Sequence, residues 1–212
     1  MRAFAIALAI LGTVNAQAPT TRDLHLRGGR FKPLSYNTLT PEQKTLVANI
    51  LAGPRASLDG PFNILLRSPE MGDLAQKFGA QMRYHSSLPP RLNEFAILIT
   101  ARFWTAQFEW QAHHQNALAA GLSPAIIDAV AAGQRPASMQ PDEEAVYNFC
   151  TEVLSTKQSS DAAFQAAVEK FGERGVVDML GVVGYYQFVS MMLNVDRYPL
   201  ADGAQPELKP LR

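Results

Sequence analysis

Apolar residues along this chain return every three or four positions, in blocks separated by Pro, Gly, Ser, Thr and Asp, the period of helices that pack by one face. Thr40-Pro41-Glu42-Gln43 combines an N-cap, a proline at the first helical position and a Gln that completes a capping box, opening a helix to about Gly53. Ser68-Pro69 opens a second helix, to about His85, with Leu74, Ala75, Phe78 and Met82 on one face. Pro89-Pro90 begins a third, to about Phe103 or Trp104, and the next ends at Gly121, a glycine suited to the C′ position. Ser123-Pro124 caps a short helix closed by Gly133, and Pro141 starts one through about Thr156 whose first-turn acids suit the helix dipole. Ser160-Asp161 caps a helix ending near Gly172, and the last runs from Glu173 to about Val195. That last helix is apolar on most of its circumference, and Gly181, Gly184, Met191 and Met192 allow close packing, so it calls for burial on several sides and suggests a subunit interface.

No run of alternating β-branched residues bounded by turn signals occurs, so the pattern predicts an all-α fold, a compact helical domain of about eight or nine helices over residues 40–212. Residues 19–39 are polar, hold Gly and Pro, carry no period and read as an extended N-terminal arm. Residues 1–18 place Arg2 before the apolar run Ala3–Leu11 and end in Ala16-Gln17-Ala18, the layout of a secretory signal peptide, which implies a secreted or periplasmic protein. The apolar run is too short to span a bilayer of about 30 Å, so no membrane association is expected after cleavage.

Composition narrows the partners. The chain has 212 residues, 47% of them hydrophobic, enough for a sizeable core in one domain. Lys plus Arg equal Asp plus Glu at 19 each and no run of like charge occurs, so nothing marks a nucleic-acid or anionic-membrane surface; small molecules and other subunits remain. Cys150 is the only cysteine, which excludes an intramolecular disulfide and a two-cysteine redox cycle; its apolar helical setting reads as core.

Chemistry concentrates between Glu94 and His113. Glu109 and His113 are four apart on one helix and therefore neighbours, with Ala106 and Ala117 continuing their stripe. A carboxylate beside an imidazole fixes the ring and lets it exchange a proton near neutral pH. Glu94 lies on the preceding helix, where a hairpin would bring it over that pair; two carboxylates sharing one histidine would raise a carboxyl pKa. By spacing alone, Glu109 and His113 fit an ordinary surface pair equally well. The Glu-x-x-x-His spacing lacks the zinc-binding HExxH pattern, so no metal is expected, and no phosphate loop or nucleophile elbow occurs.

LPPRLNEFAILITARFW followed by FEWQAHHQNALAAGLSPAII resembles the carboxymuconolactone decarboxylase and alkyl hydroperoxidase D superfamily, and NILLRSP and VVGYYQFVSMMLNV extend the likeness over most of residues 60–200. The hydroperoxidase branch has a Glu, a CxxC pair and a His; Glu94 and His113 match the ends of that pattern, while Ala106 and Glu109 stand at its two cysteines. Without those thiolates, disulfide-linked peroxide reduction has no nucleophile. Glu109-Trp110-x-x-His113 is similar instead to the decarboxylase-like branch.

The resemblance implies a homo-oligomer, a trimer or hexamer with sites near subunit contacts, and a cofactor-free lyase that decarboxylates or isomerises a small carboxylated lactone or unsaturated acid. On that analogy His113 is the proton donor, Glu109 orients it and Glu94 has a second acid/base role. Arg102 or Arg91 would bind the carboxylate, and Trp110, Tyr185 and Tyr186 would line the cavity. The family's decarboxylases serve intracellular aromatic catabolism, so an exported chain implies a different substrate. A non-catalytic ligand-binding oligomer of the same fold, or a peroxidase-related oxidoreductase, are the alternative functions.

Overall fold

The fold comes from a computed structural model that describes residues 23–210; the segment read as a signal peptide lies outside the described residues. Eight helices follow one another: α1 (Pro41–Ala52), α2 (Phe62–Leu65), α3 (Pro69–Tyr84), α4 (Pro90–Phe103), α5 (Gln107–Ala119), α6 (Pro124–Ala131), α7 (Pro141–Thr156) and α8 (Asp161–Asp196). No strand occurs among the described residues. The chain is all-α, as its periodicity predicts.

Local signals account for the helix ends. Thr40 accepts from Gln43 N while the Gln43 side chain accepts from Thr40 N, so two otherwise orphaned donors are satisfied by one four-residue sequence. Gly121 sits at φ +91° after α5, where an L side chain would be strained, and Leu122 N closes the turn on the Ala117 carbonyl. Gly172, at φ 67° and ψ 172°, breaks α8 into two limbs at the boundary its sequence marks.

The packing centre is α4. Every residue from Leu92 to Arg102 is buried, because α5, α6, α7 and α8 cover α4 from different sides. One apolar core joins these helices through Phe95, Leu98, Trp110, Val146, Phe149, Met179 and Val182. A second core is formed by Leu46, Val47 and Ile50 of α1 with Phe62, Leu65 and Leu66. Cys150 is fully buried in the first, and that burial pushes its thiol up to about 12.

Two expectations change. The predicted apolar face of α3 is divided: Leu74 is 71% exposed and Phe78 45%, whereas Ala75 is half-buried and Met82 faces inward with Gly72, Gln76 and Gly79. The cause is close approach. A Cβ on Gly72 would crowd the Leu46 side chain and the Leu65 carbonyl at 2.8 Å, and one on Gly79 would collide with Tyr185, so the inward stripe must be small. The N-terminal arm is extended but docked, apart from a 3₁₀ turn at Tyr36–Thr38. Buried Asp196 accepts from Phe31 N at 2.7 Å and Gly29 N at 3.2 Å, so a carboxylate at the end of α8 takes up arm amides that lack a helix partner. By length and composition α8 is apolar enough to cross a membrane, and half of its most apolar window is buried within the fold.

Candidate active site

A three-residue turn with Thr105 at φ 47° folds α5 back along α4, and Ala106 N bonds the Ala101 carbonyl to close it. The turn places Glu94, midway along α4, opposite His113 of α5. His113 Nδ1 lies 2.6 Å from Glu94 Oε2, and Nε2 lies 3.7 Å from Glu109 Oε2. All three side chains are enclosed: Glu94 is 9% exposed, Glu109 4% and His113 2%. Glu94 holds the ring by a short charge-assisted hydrogen bond, which presents Nε2 to Glu109.

Glu109 is the electrostatic outlier. No described residue donates a hydrogen bond to it at bonding distance, and burial raises its pKa; His113, Arg83 and Arg55 oppose that rise in part. The carboxyl is therefore held protonated further up the pH scale than an ordinary glutamic acid. Tyr186 stands edge-on to the His113 ring, centroids 5.0 Å apart at 87°, and its buried hydroxyl has no partner among the described residues. Burial pushes that phenol well above its usual value, so Tyr186 is a neutral hydrogen-bond donor.

A cavity of about 170 Å³ opens on this group, and its lining includes Glu109, His113, Tyr185 and Tyr186 together with Arg55 and Arg83. Arg55 comes from the loop between α1 and α2, and its Nη2 lies 3.5 Å from the Tyr185 hydroxyl. Its buried Nε has no hydrogen-bond partner among the described residues. The loop is tied down beside it, since Asp59 accepts from Arg27 at 2.7 Å and from the Tyr198 hydroxyl at 2.5 Å. Arg83 continues the inward stripe of α3 one turn beyond Gly79. Two cations thus share the lining of a small, half-open cavity with a buried carboxyl and an imidazole.

Of the residues singled out from sequence, His113, Glu109 and Glu94 converge, and Tyr185 lines the cavity. Glu94, rather than Glu109, makes the orienting bond to the ring, because the hairpin puts its oxygen at Nδ1 while Glu109 stays a turn below at Nε2. Arg91 does not reach the cavity: it pairs with Asp142 at 2.7 Å and with Glu143, joining α4 to α7. Arg102 lines a different cavity, between α4, α6 and α7. Trp110 is core, and its indole Nε1 donates to Glu207 Oε2 at 3.0 Å; the same oxygen is 2.8 Å from His114 Nδ1, so both side chains hold the C-terminal tail. Sequence reasoning missed Arg55 and Arg83. Arg83 carried a signal, the i, i+4, i+7, i+11 series Gly72, Gln76, Gly79, Arg83; Arg55 sits in an aperiodic loop and carried none.

The architecture is that of an all-α protein with a buried carboxylate, imidazole and carboxyl group on a helical hairpin beside an arginine-lined cavity. Residues 69–152, from the start of α3 into α7, match the model of the Carboxymuconolactone decarboxylase family. The family includes decarboxylases and peroxidase-related members. No curated protein and no solved structure matches the chain.

Proposed function

We propose that this chain is a cofactor-free lyase of the carboxymuconolactone decarboxylase type, decarboxylating or isomerising a small carboxylated lactone or unsaturated acid by general acid/base catalysis. The observation that carries the reading is the buried Glu94–His113 hydrogen bond, which turns Nε2 toward Glu109, a carboxyl whose pKa burial raises, at the wall of a cavity with two arginines. A static surface pair would not be buried, nor would it face a cavity.

Decarboxylation breaks a carbon–carbon bond and leaves its electron pair on the substrate. A conjugated carbonyl accepts that pair as an enolate, and a proton must then reach a carbon further along. Arg55 or Arg83 serves best at the carbonyl oxygen where charge accumulates, because a guanidinium on the departing carboxylate would stabilise the ground state equally. Glu109 supplies the proton to carbon and is left as a carboxylate; His113 Nε2 takes up a proton from solvent, Glu94 balancing the imidazolium so formed, and passes it on to restore Glu109. In an isomerisation, Nε2 takes a proton from one carbon and Glu109 returns one to another. The cavity volume suits a small acid.

The peroxidase-related alternative lacks a thiolate, since Ala106 and Glu109 stand at the cysteine positions and Cys150 is buried and protonated. Export and homo-oligomeric assembly belong to the same proposal. Leu74 and Phe78 on α3 and Val177 and Leu180 on α8 are exposed apolar side chains on two helices that pack together, and a subunit contact would cover them. The testing experiment screens unsaturated lactone acids and keto acids by mass spectrometry for loss of carbon dioxide or for an isomer. Turnover of at least one of them that disappears in His113→Ala supports the reading. A ligand that binds without conversion assigns the non-catalytic alternative.

A further inference from the structure

A second helix-lined space with chemistry of its own surrounds Arg102. This residue is only 5% exposed, its Nε and Nη1 are buried, and neither has a hydrogen-bond partner among the described residues. Burial lowers its pKa with no carboxylate acting against it. Neighbouring arginines are treated differently: Arg91 is paired with Asp142 and Glu143, and Arg135 with Glu144 and Asn148. A guanidinium whose Nε and Nη1 are buried without an acceptor or counter-charge carries an uncompensated desolvation cost, which a bound acceptor would offset.

Arg102 lines a cavity of about 130 Å³ between α4, α6 and α7. Its walls include Ile99, Val130, Leu154 and Tyr147, with Thr151 and Ser155 as the polar edge. None of these lines the His113 cavity, and Arg102 lies eight residues along α4 from Glu94, about 12 Å at the helical rise. The space is narrow and mostly apolar, and its charge is a single planar fork. That combination matches a carboxylate carried on a short hydrocarbon tail; a phosphate dianion would need more donors than the site offers.

The geometry points to a second ligand site, in which the Arg102 guanidinium takes the carboxylate of a small free acid and Ile99, Val130 and Leu154 enclose its tail. The site is independent of the proposed lyase chemistry, sharing no lining residue with it.

Calorimetric titration of the full chain with hexanoate, with hexanol as the uncharged control, tests the assignment. Wild-type protein should bind hexanoate saturably at one per chain and hexanol far more weakly. Arg102→Gln should weaken hexanoate binding at least tenfold, about 1.4 kcal/mol. Thr151→Phe, which fills the cavity while leaving the arginine in place, should weaken it as well, so the test survives if Arg102→Gln fails to fold. Arg55→Ala should leave it unchanged. Equal binding in Arg102→Gln and Thr151→Phe, loss in Arg55→Ala, or no saturable binding would overturn the proposal. So would an Arg102→Gln chain that breaks up an assembly which binds no hexanoate, because the carboxylate would then belong to a second copy.

Discussion

Replacing Glu109 by Gln tests the electrostatics of the site without needing a substrate. The side chain is 4% exposed, accepts no hydrogen bond from a described residue, and has its nearest basic nitrogen, His113 Nε2, 3.7 Å away. Burial therefore raises its pKa above the ordinary value of 4.5. The sign follows from proton counting. Between the unfolded and folded values the folded state binds the extra proton, so stability falls as pH rises from about 4.5 and levels off once the folded carboxyl ionises. Gln has nearly the same shape and never ionises, so Glu109→Gln escapes that loss. An incompletely paired buried polar group costs about 1–3 kcal/mol, and each kcal/mol moves the midpoint of a domain this size by roughly 2–4 °C. Thermal unfolding followed by circular dichroism at pH 4, 5, 6, 7 and 8 should show the two proteins close at pH 4. The Gln variant should then draw ahead by about 2–12 °C toward neutrality. A difference that stays flat with pH, or a Gln variant less stable throughout, would refute the account of Glu109 as a carboxyl held protonated by burial.

Gly79→Ala should destabilise by about 1–3 kcal/mol, read by urea unfolding, because the added methyl would collide with the Tyr185 ring and crowd Arg55 Nη2 at 2.6 Å. Arg55→Ala and Arg83→Ala should each lower kcat/KM for a converted acid by about 10- to 100-fold with little change in thermal midpoint, as expected when a charge-assisted contact to the substrate is lost. Cys150 should resist iodoacetamide at pH 8 in the native protein and react fully in denaturant, checked by intact mass, since burial holds its thiol near 12.

Helix boundaries were legible because they rest on local chemistry: Thr40 with Gln43, Pro at first positions, and Gly121, Gly133 and Gly172 at positive φ act within a few residues. Which face of a helix is buried is a tertiary fact, and α3 shows the difference. Its apolar stripe of Leu74 and Phe78 was readable, yet the inward face is the glycine series that lets Tyr185 and Arg55 approach. The convergence of Glu94 with His113 followed from a short hairpin between two apolar helices, so it was anticipated. Which oxygen meets which ring nitrogen depends on the turn at Trp104 to Ala106, below the resolution of any periodicity. Arg91 and Arg102 were reasonable carboxylate binders by proximity in sequence; α7 claims the first, and helix rotation sends the second into another cavity.

The central claim is that Glu94, His113 and Glu109 together move a proton on a small acid. Its most direct test is to incubate the wild-type chain and His113→Ala with a converted lactone acid in deuterium oxide and to read product mass and position of label. The account predicts one deuterium at the carbon protonated after loss of carbon dioxide or double-bond migration, formed by wild type and slowed at least about 10²-fold in His113→Ala. Equal rates and equal labelling in the two proteins would contradict it.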